Sequence, residues 1–170
     1  MVSLPQLNAA PGEEFVIKLG GIYEHSDWVP RRVIDQRPFL KTADLQLAMR
    51  MAVDGATAEE KLKLIRAHPD LAGKLARSGA LTEASTSEQA GLGLDRLSDG
   101  EYEEFSDRNQ RYRDKFDFPF IICARLTTKR GILEAFEKRL GNPVEAEISE
   151  ALMQIHHIAK LRLGDLIVTE

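Results

Sequence analysis

The sequence predicts an all-α protein: one compact domain over residues 1–170, with about seven or eight helices around a single core and residues 1–7 loosely held. Three observations lead there. Helix-start signals recur, as in Thr57 with Glu60 and Ser98 with Glu101, each pair at the spacing of a capping box. A mainly apolar stripe returns every three or four positions, most clearly in the final stretch through Ile148, Leu152, Ile155, Ala159, Arg162 and Leu166. The one run that resembles a strand, Phe120 to Ala124, finds no second strand pattern to pair with, so it reads as an extended connector whose backbone groups need partners elsewhere.

Taken in order, Asn8 followed by Pro11, Glu13 and Glu14 starts a short helix carrying Phe15, Val16 and Leu19, and Gly20-Gly21 ends it. Ser26 or Asp27 caps a helix running to about Asp35, closed by Arg37-Pro38. Thr42 with Asp44 opens another through Leu45, Leu47, Ala48 and Met51, stopping near Gly55. The helix from Thr57 must end at about His68, because Pro69 forces its predecessor out of the α region. Pro69 and Asp70 suit the first turn of a second helix, which the permissive pair Ser78-Gly79 ends. Ser85 and Glu88 have capping-box spacing, and Ser98 opens a long polar helix to about Lys115. After the connector, Thr127 or Thr128 caps a helix to Leu140, and the last helix runs from near Pro143 to about Leu166.

Charge and cysteine usage exclude several function classes. Lys and Arg number 23 against 27 Asp and Glu, with no basic cluster to neutralise a phosphate backbone, which argues against nucleic acid. The lone cysteine, Cys123, lies among apolar neighbours and has no internal partner, which suits a reducing compartment and a structural thiol. No basic leader precedes an apolar run and no stretch approaches membrane-spanning length, so a soluble cytoplasmic protein is expected.

The candidate chemistry starts at His68. Its imidazole sits at a helix break, and imidazole is the side chain that gives and takes a proton near neutrality. The plain structural reading is a helix-end residue. Ser85, Thr86, Ser87, Glu88 and Gln89 are doubly readable too: either a helix start or a polar cradle for a small anion. Arg162 falls on the apolar stripe of the last helix, so it must meet a carboxylate such as Glu88, backbone carbonyls or a ligand. His156 and His157 are adjacent, not spaced as a helical metal pair, and no metal is expected.

Together, His68-Pro69-Asp70-Leu71, Ser85-Thr86-Ser87-Glu88-Gln89, Phe118-Pro119-Phe120-Ile121-Ile122 and Leu161-Arg162-Leu163 closely resemble the 2-oxo-4-hydroxy-4-carboxy-5-ureidoimidazoline (OHCU) decarboxylases, enzymes of uric-acid breakdown that yield (S)-allantoin. The likeness runs from Leu7, through Glu24-His25-Ser26-Asp27-Trp28 and Asn109 to Arg113, as far as Leu166. Asp27 stands where a proline is common, and Leu126 where a glycine is common. The resemblance implies an all-helical homodimer without metal or organic cofactor. It assigns catalysis to His68 with Glu88 and Arg162, and substrate binding to Pro69, Ser85, Thr86, Ser87, Glu88, Gln89, Phe120, Ile121, Ile122, Cys123, Ala124 and Arg162. Two competing classes are a hydrolase acting on a related ureide and a non-catalytic helical interaction module.

Overall fold

A computed structural model describes residues 1–73 and 81–168. Among these residues are nine α-helices and one pair of two-residue strands, so the all-α expectation holds. The chain divides into two compact units: unit one is Met1–Leu64 with His156–Glu170, and unit two is Ile65–Ile155. No described helix is long and apolar enough to cross a membrane.

Unit one begins where the sequence suggests a loose lead-in, and here the structure differs. Strand β1 (Val2–Ser3) pairs in parallel with β2 (Ile167–Val168), Val2 facing Ile167. Ser3 and Gln6 then form a reciprocal capping box that starts α1 (Leu4–Ala9), whose Leu7 is fully buried. Pairing and a cap tie this terminus down.

Helix α2 (Gly12–Leu19) buries Phe15, Val16 and Leu19, as its spacing predicts. Asn8 does not start it. Its amide instead hydrogen-bonds both backbone groups of Phe39, at 2.9 Å each, holding a segment far away in sequence. Helix α3 (Trp28–Val33) follows, extended by a 3-10 turn over Ile34–Gln36; Asp27 holds the cap position without a side-chain cap bond. Helix α4 (Thr42–Asp54) stops at Gly55 as expected. Helix α5 (Ala58–Ala67) is opened by the Thr57–Glu60 box, with bonds of 2.9 and 3.2 Å, and its C-terminal turn belongs to unit two.

Unit two contains α6 (Glu83–Ala90), α7 (Asp99–Phe116), α8 (Lys129–Arg139) and the first part of α9 (Val144–Leu166). The Ser98–Glu101 box forms as predicted, and of the two expected caps Thr127 and Thr128 it is Thr128 that caps α8. Asp117, in the left-handed region at φ 59°, ends α7 and sends the chain into the connector. No strand forms there. Aromatic packing holds it instead: Tyr112 meets Phe118 and Phe120 edge-on at 5.9 and 5.2 Å, and Phe120 stacks on Phe136 at 3.8 Å.

Under this aromatic cluster lies a charged network that sequence reasoning did not find. Glu147 accepts from Arg139 Nε at 2.9 Å, from Asn142 Nδ2 at 2.7 Å and from the Tyr112 hydroxyl. Burial and the carboxylate of Glu147 raise the Tyr112 pKa, so the phenol stays protonated and donates. Arg139 also donates to the Ile121 carbonyl at 2.7 Å and lies 4.3 Å over the Phe120 ring. A buried ion pair stabilises only when its remaining donors and acceptors are met, and this one is wired to three elements.

Candidate active site

His68 is buried, and its N–H closes the last turn of α5 on the Ile65 carbonyl at 3.2 Å. The helix stops where Pro69 requires it to. The expected second helix does not start at Pro69: residues 69–73 are irregular, and Ala72 sits at φ 53°. A left-handed residue cannot continue an α-helix, so the tendency of Pro69 for a first helical turn is overridden. Ser78-Gly79, the expected stop, lies outside the described residues.

Two helices hold this loop by its backbone. From α6, Gln89 Oε1 accepts from the Ala72 N–H at 2.9 Å, and its Nε2 donates to the Asp70 carbonyl at 3.4 Å. From α7, Asn109 Nδ2 donates to the Leu71 carbonyl at 2.8 Å, and Arg113 pairs with the Asp70 carboxylate at 2.9 Å. The loop carrying His68 and Pro69 is therefore fixed at three successive residues after the proline. Asn109 and Arg113, four residues apart on one helix face, belong to this machinery; the signal in the sequence was the likeness over Asn109 to Arg113, which carried no role.

Helix α6 corrects the expected capping box. Its cap is Thr82, whose hydroxyl accepts from the Ser85 N–H at 3.3 Å, so Ser85 and Glu88 lie inside the helix. Thr82 supplies the same hydroxyl chemistry three residues earlier. The consequence is a division of faces: Ser85 and Gln89, one turn apart, are buried, Glu88 is half-buried, and Thr86 and Ser87 are exposed. The same helix packs against the 3-10 turn Ala124–Leu126 at the end of the connector.

The connector's backbone partners are now identifiable. Arg139 takes the Ile121 carbonyl, and Gln154 Oε1 accepts from the Cys123 N–H at 2.9 Å. Phe120, Ile121, Cys123 and Ala124 are buried and Ile122 is half-buried. Burial, reinforced by the charge of Glu88, pushes the Cys123 thiol pKa up, which favours an inert thiol over a thiolate nucleophile. Unit two thus brings together the His68 loop, the Ser85–Gln89 face and the connector.

Arg162 belongs to unit one. It is buried, as its place in the apolar stripe demands, and its Nη1 donates to Glu24 Oε2 at 2.7 Å and to the Gly21 carbonyl at 3.1 Å. Glu24 is thus a carboxylate paired with it within unit one. Glu24 was visible only inside the Glu24-to-Trp28 motif and had no role assigned. His156, also in unit one, bridges Tyr23 and Asp54 at 3.0 Å each, while among the described residues no cluster suited to a metal occurs.

Comparison with known proteins gives the family and the fold. The family model for OHCU decarboxylase matches residues 8–164. The 2-oxo-4-hydroxy-4-carboxy-5-ureidoimidazoline decarboxylase of Haloferax volcanii is 39% identical over 169 residues, covering 99% of this chain and 98% of its own. That of Xenopus laevis is 32% identical, with 99% and 97% covered. A crystal structure of (S)-allantoin synthase superposes with a TM-score of 0.78 at 33% identity, over 98% of this chain and 54% of that one. A crystal structure of OHCU decarboxylase in the presence of (S)-allantoin has the same fold, with a TM-score of 0.70 at 23% identity, over 88% of this chain and 96% of that one. With a family match across nearly its whole length and close relatives end to end, the chain belongs to the OHCU decarboxylase family.

Proposed function

We propose that the protein decarboxylates OHCU to (S)-allantoin in uric-acid degradation, with His68 as the acid/base group. The observation that supports this most strongly is the His68 loop, a buried imidazole beside a proline with its backbone held from α6 and α7. Such rigidity is what a stereoselective proton transfer needs, because the donor must address one face of a planar intermediate.

The substrate supplies its own electron sink. The carbon that loses carbon dioxide neighbours a carbon–nitrogen double bond, so the pair left by the breaking carbon–carbon bond flows into the imine. An ene-type intermediate forms with the pair on the former imine nitrogen; that nitrogen takes up the proton the hydroxyl gives up as it becomes a carbonyl, and one further proton added at the ureido-bearing carbon yields allantoin. No metal or organic cofactor is required in this scheme. His68 delivers the proton and Glu88 orients the imidazole, help typically worth ~10² to 10⁴-fold. Ser85, the backbone of residues 120–124 and Arg162 hold the ring and ureido oxygens. Gln89 acts first through the loop; an amide carries two N–H donors, and the one not used on Asp70 serves the substrate. Pro69 walls the site. Thr86 and Ser87, exposed on α6, complete the polar stretch assigned to substrate binding. A homodimer and a cytoplasmic setting, implied by the resemblance and the single thiol, complete the reading.

The experiment is addition of the protein to freshly generated OHCU. Accelerated carbon dioxide release with a circular-dichroism signal for (S)-allantoin supports decarboxylation. Ring opening would indicate a hydrolase, and no change over the spontaneous decay a binding module.

A further inference from the structure

The segment between α2 and α3 is tied to the last helix twice within unit one. The Tyr23 hydroxyl meets His156 Nδ1 at 3.0 Å, and the Glu24 carboxylate accepts from Arg162 at 2.7 Å. Its backbone is shaped to present Glu24: Ser26 N–H donates to the Tyr23 carbonyl at 3.1 Å, and Ser26 Oγ donates to the Glu24 carbonyl at 2.9 Å. Between them His25 lies at φ 46°, a conformation L side chains seldom adopt, so the turn is held by its surroundings. Glu24 is 2% exposed and Arg162 7%, so water screens the pair little.

The chemical consequence concerns net charge. A guanidinium in contact with a carboxylate still presents N–H donors to a neutral oxygen, but it attracts an anion far less than a lone guanidinium does. For loss of carbon dioxide this polarity is the useful one. The ring and ureido oxygens are neutral and survive the reaction, whereas the carboxylate departs. A cation clamping the carboxylate would stabilise the ground state more than the transition state and slow the step.

We propose that Glu24 is a specificity-determining residue: by cancelling the charge of Arg162 it converts a carboxylate clamp into a hydrogen-bond donor for the neutral oxygens that survive decarboxylation. The proposal rests on the reading that Arg162 contacts the substrate. It assigns Glu24 an action on selectivity, which a salt bridge serving only the fold would lack.

Glu24→Gln in the full-length protein keeps the size and an acceptor oxygen while removing the charge. Neutral allantoin and acetate, a bare carboxylate, serve as competing probes. In the variant, acetate should inhibit roughly tenfold more strongly than in the wild type, while allantoin affinity stays within about threefold. KM and kcat for OHCU should fall together, the signature of a ground state stabilised without the transition state. Glu24→Asp restores the charge and should restore wild-type discrimination. If acetate, allantoin and substrate binding all weaken in parallel, the pair is structural and the proposal is overturned. The wild type supplies an arm independent of folding: its allantoin affinity should be insensitive to salt, and a severalfold loss on adding salt would overturn the proposal as well. Failure of the underlying reading looks different. Arg162→Lys, which loses the fork, would then leave allantoin binding and KM unchanged whatever Glu24 does.

Discussion

Arg139 and Arg162 are both core-facing guanidinium groups paired with a glutamate, yet the two pairs are wired to different ends. Glu147, with no exposed surface, receives Arg139, Asn142 and Tyr112, and Arg139 passes the constraint to the Ile121 carbonyl. That network spans α7, α8, α9 and the connector of unit two. In unit one, Arg162 is paired with Glu24 on a short turn and with the Gly21 carbonyl. The first pair fixes backbone that helps build the candidate site, while the second is the group proposed to face a ligand. Burial of charge is common to both, so burial alone does not mark chemistry; what the pair is connected to does.

The comparison breaks first, and most severely, at Glu147. Glu147→Ala leaves Arg139 buried beside an empty acceptor position and should cost about 3–5 kcal/mol in urea unfolding. Glu24→Gln retains an acceptor oxygen and should cost visibly less. Equal losses would mean that the two pairs do the same structural work.

A middle-sized effect is expected from Gln89. Replacing it with Leu strands the Ala72 N–H and frees the loop, at about 1–3 kcal/mol. Turnover should fall on the order of tenfold or more, because the imidazole is then misplaced by a mutation that leaves it chemically intact. A variant that is destabilised yet fully active would remove the loop clamp from the catalytic account.

The smallest effect is in the pH dependence of unit one. Burial lowers the His156 pKa, against the opposing pull of Asp54, and the geometry suits a neutral ring: the Tyr23 O–H donates to Nδ1 while Nε2–H donates to Asp54. The folded state therefore binds this proton less readily than the unfolded chain does. The contribution is fully present above the ordinary histidine range and is lost as pH falls through the lowered folded value. Unfolding experiments from pH 7.5 down to pH 5 should show a decline that His156→Gln flattens; an unchanged slope in that variant would assign the decline to other groups.

Much of this was legible in residue order. Where a cap and its partner stand three apart without a rival, as at Thr57 and Ser98, the helix starts as predicted. At Ser85 and Glu88 the box spacing is present, yet Thr82 three residues earlier caps the helix, so spacing alone misplaced the start. Pro69 announced the break after His68, but the left-handed Ala72 gave no sign, since alanine favours helix everywhere else. The partners of the buried charges were the least visible part. Glu147 sits eight residues from Arg139 across a helix boundary, and Glu24 lies 138 residues from Arg162. Sequence dictates that a core arginine must be paired; it is silent on which carboxylate arrives.

The claim on which everything turns is that the His68 imidazole moves the proton. His68→Asn keeps a polar side chain of similar reach, so the fold should survive, as judged by an unchanged unfolding midpoint. With fresh OHCU, the account predicts that acceleration falls by ~10² to 10⁴-fold and that the allantoin formed loses most of its enantiomeric excess by circular dichroism. Enantiopure (S)-allantoin released by this variant at near wild-type rate would contradict it.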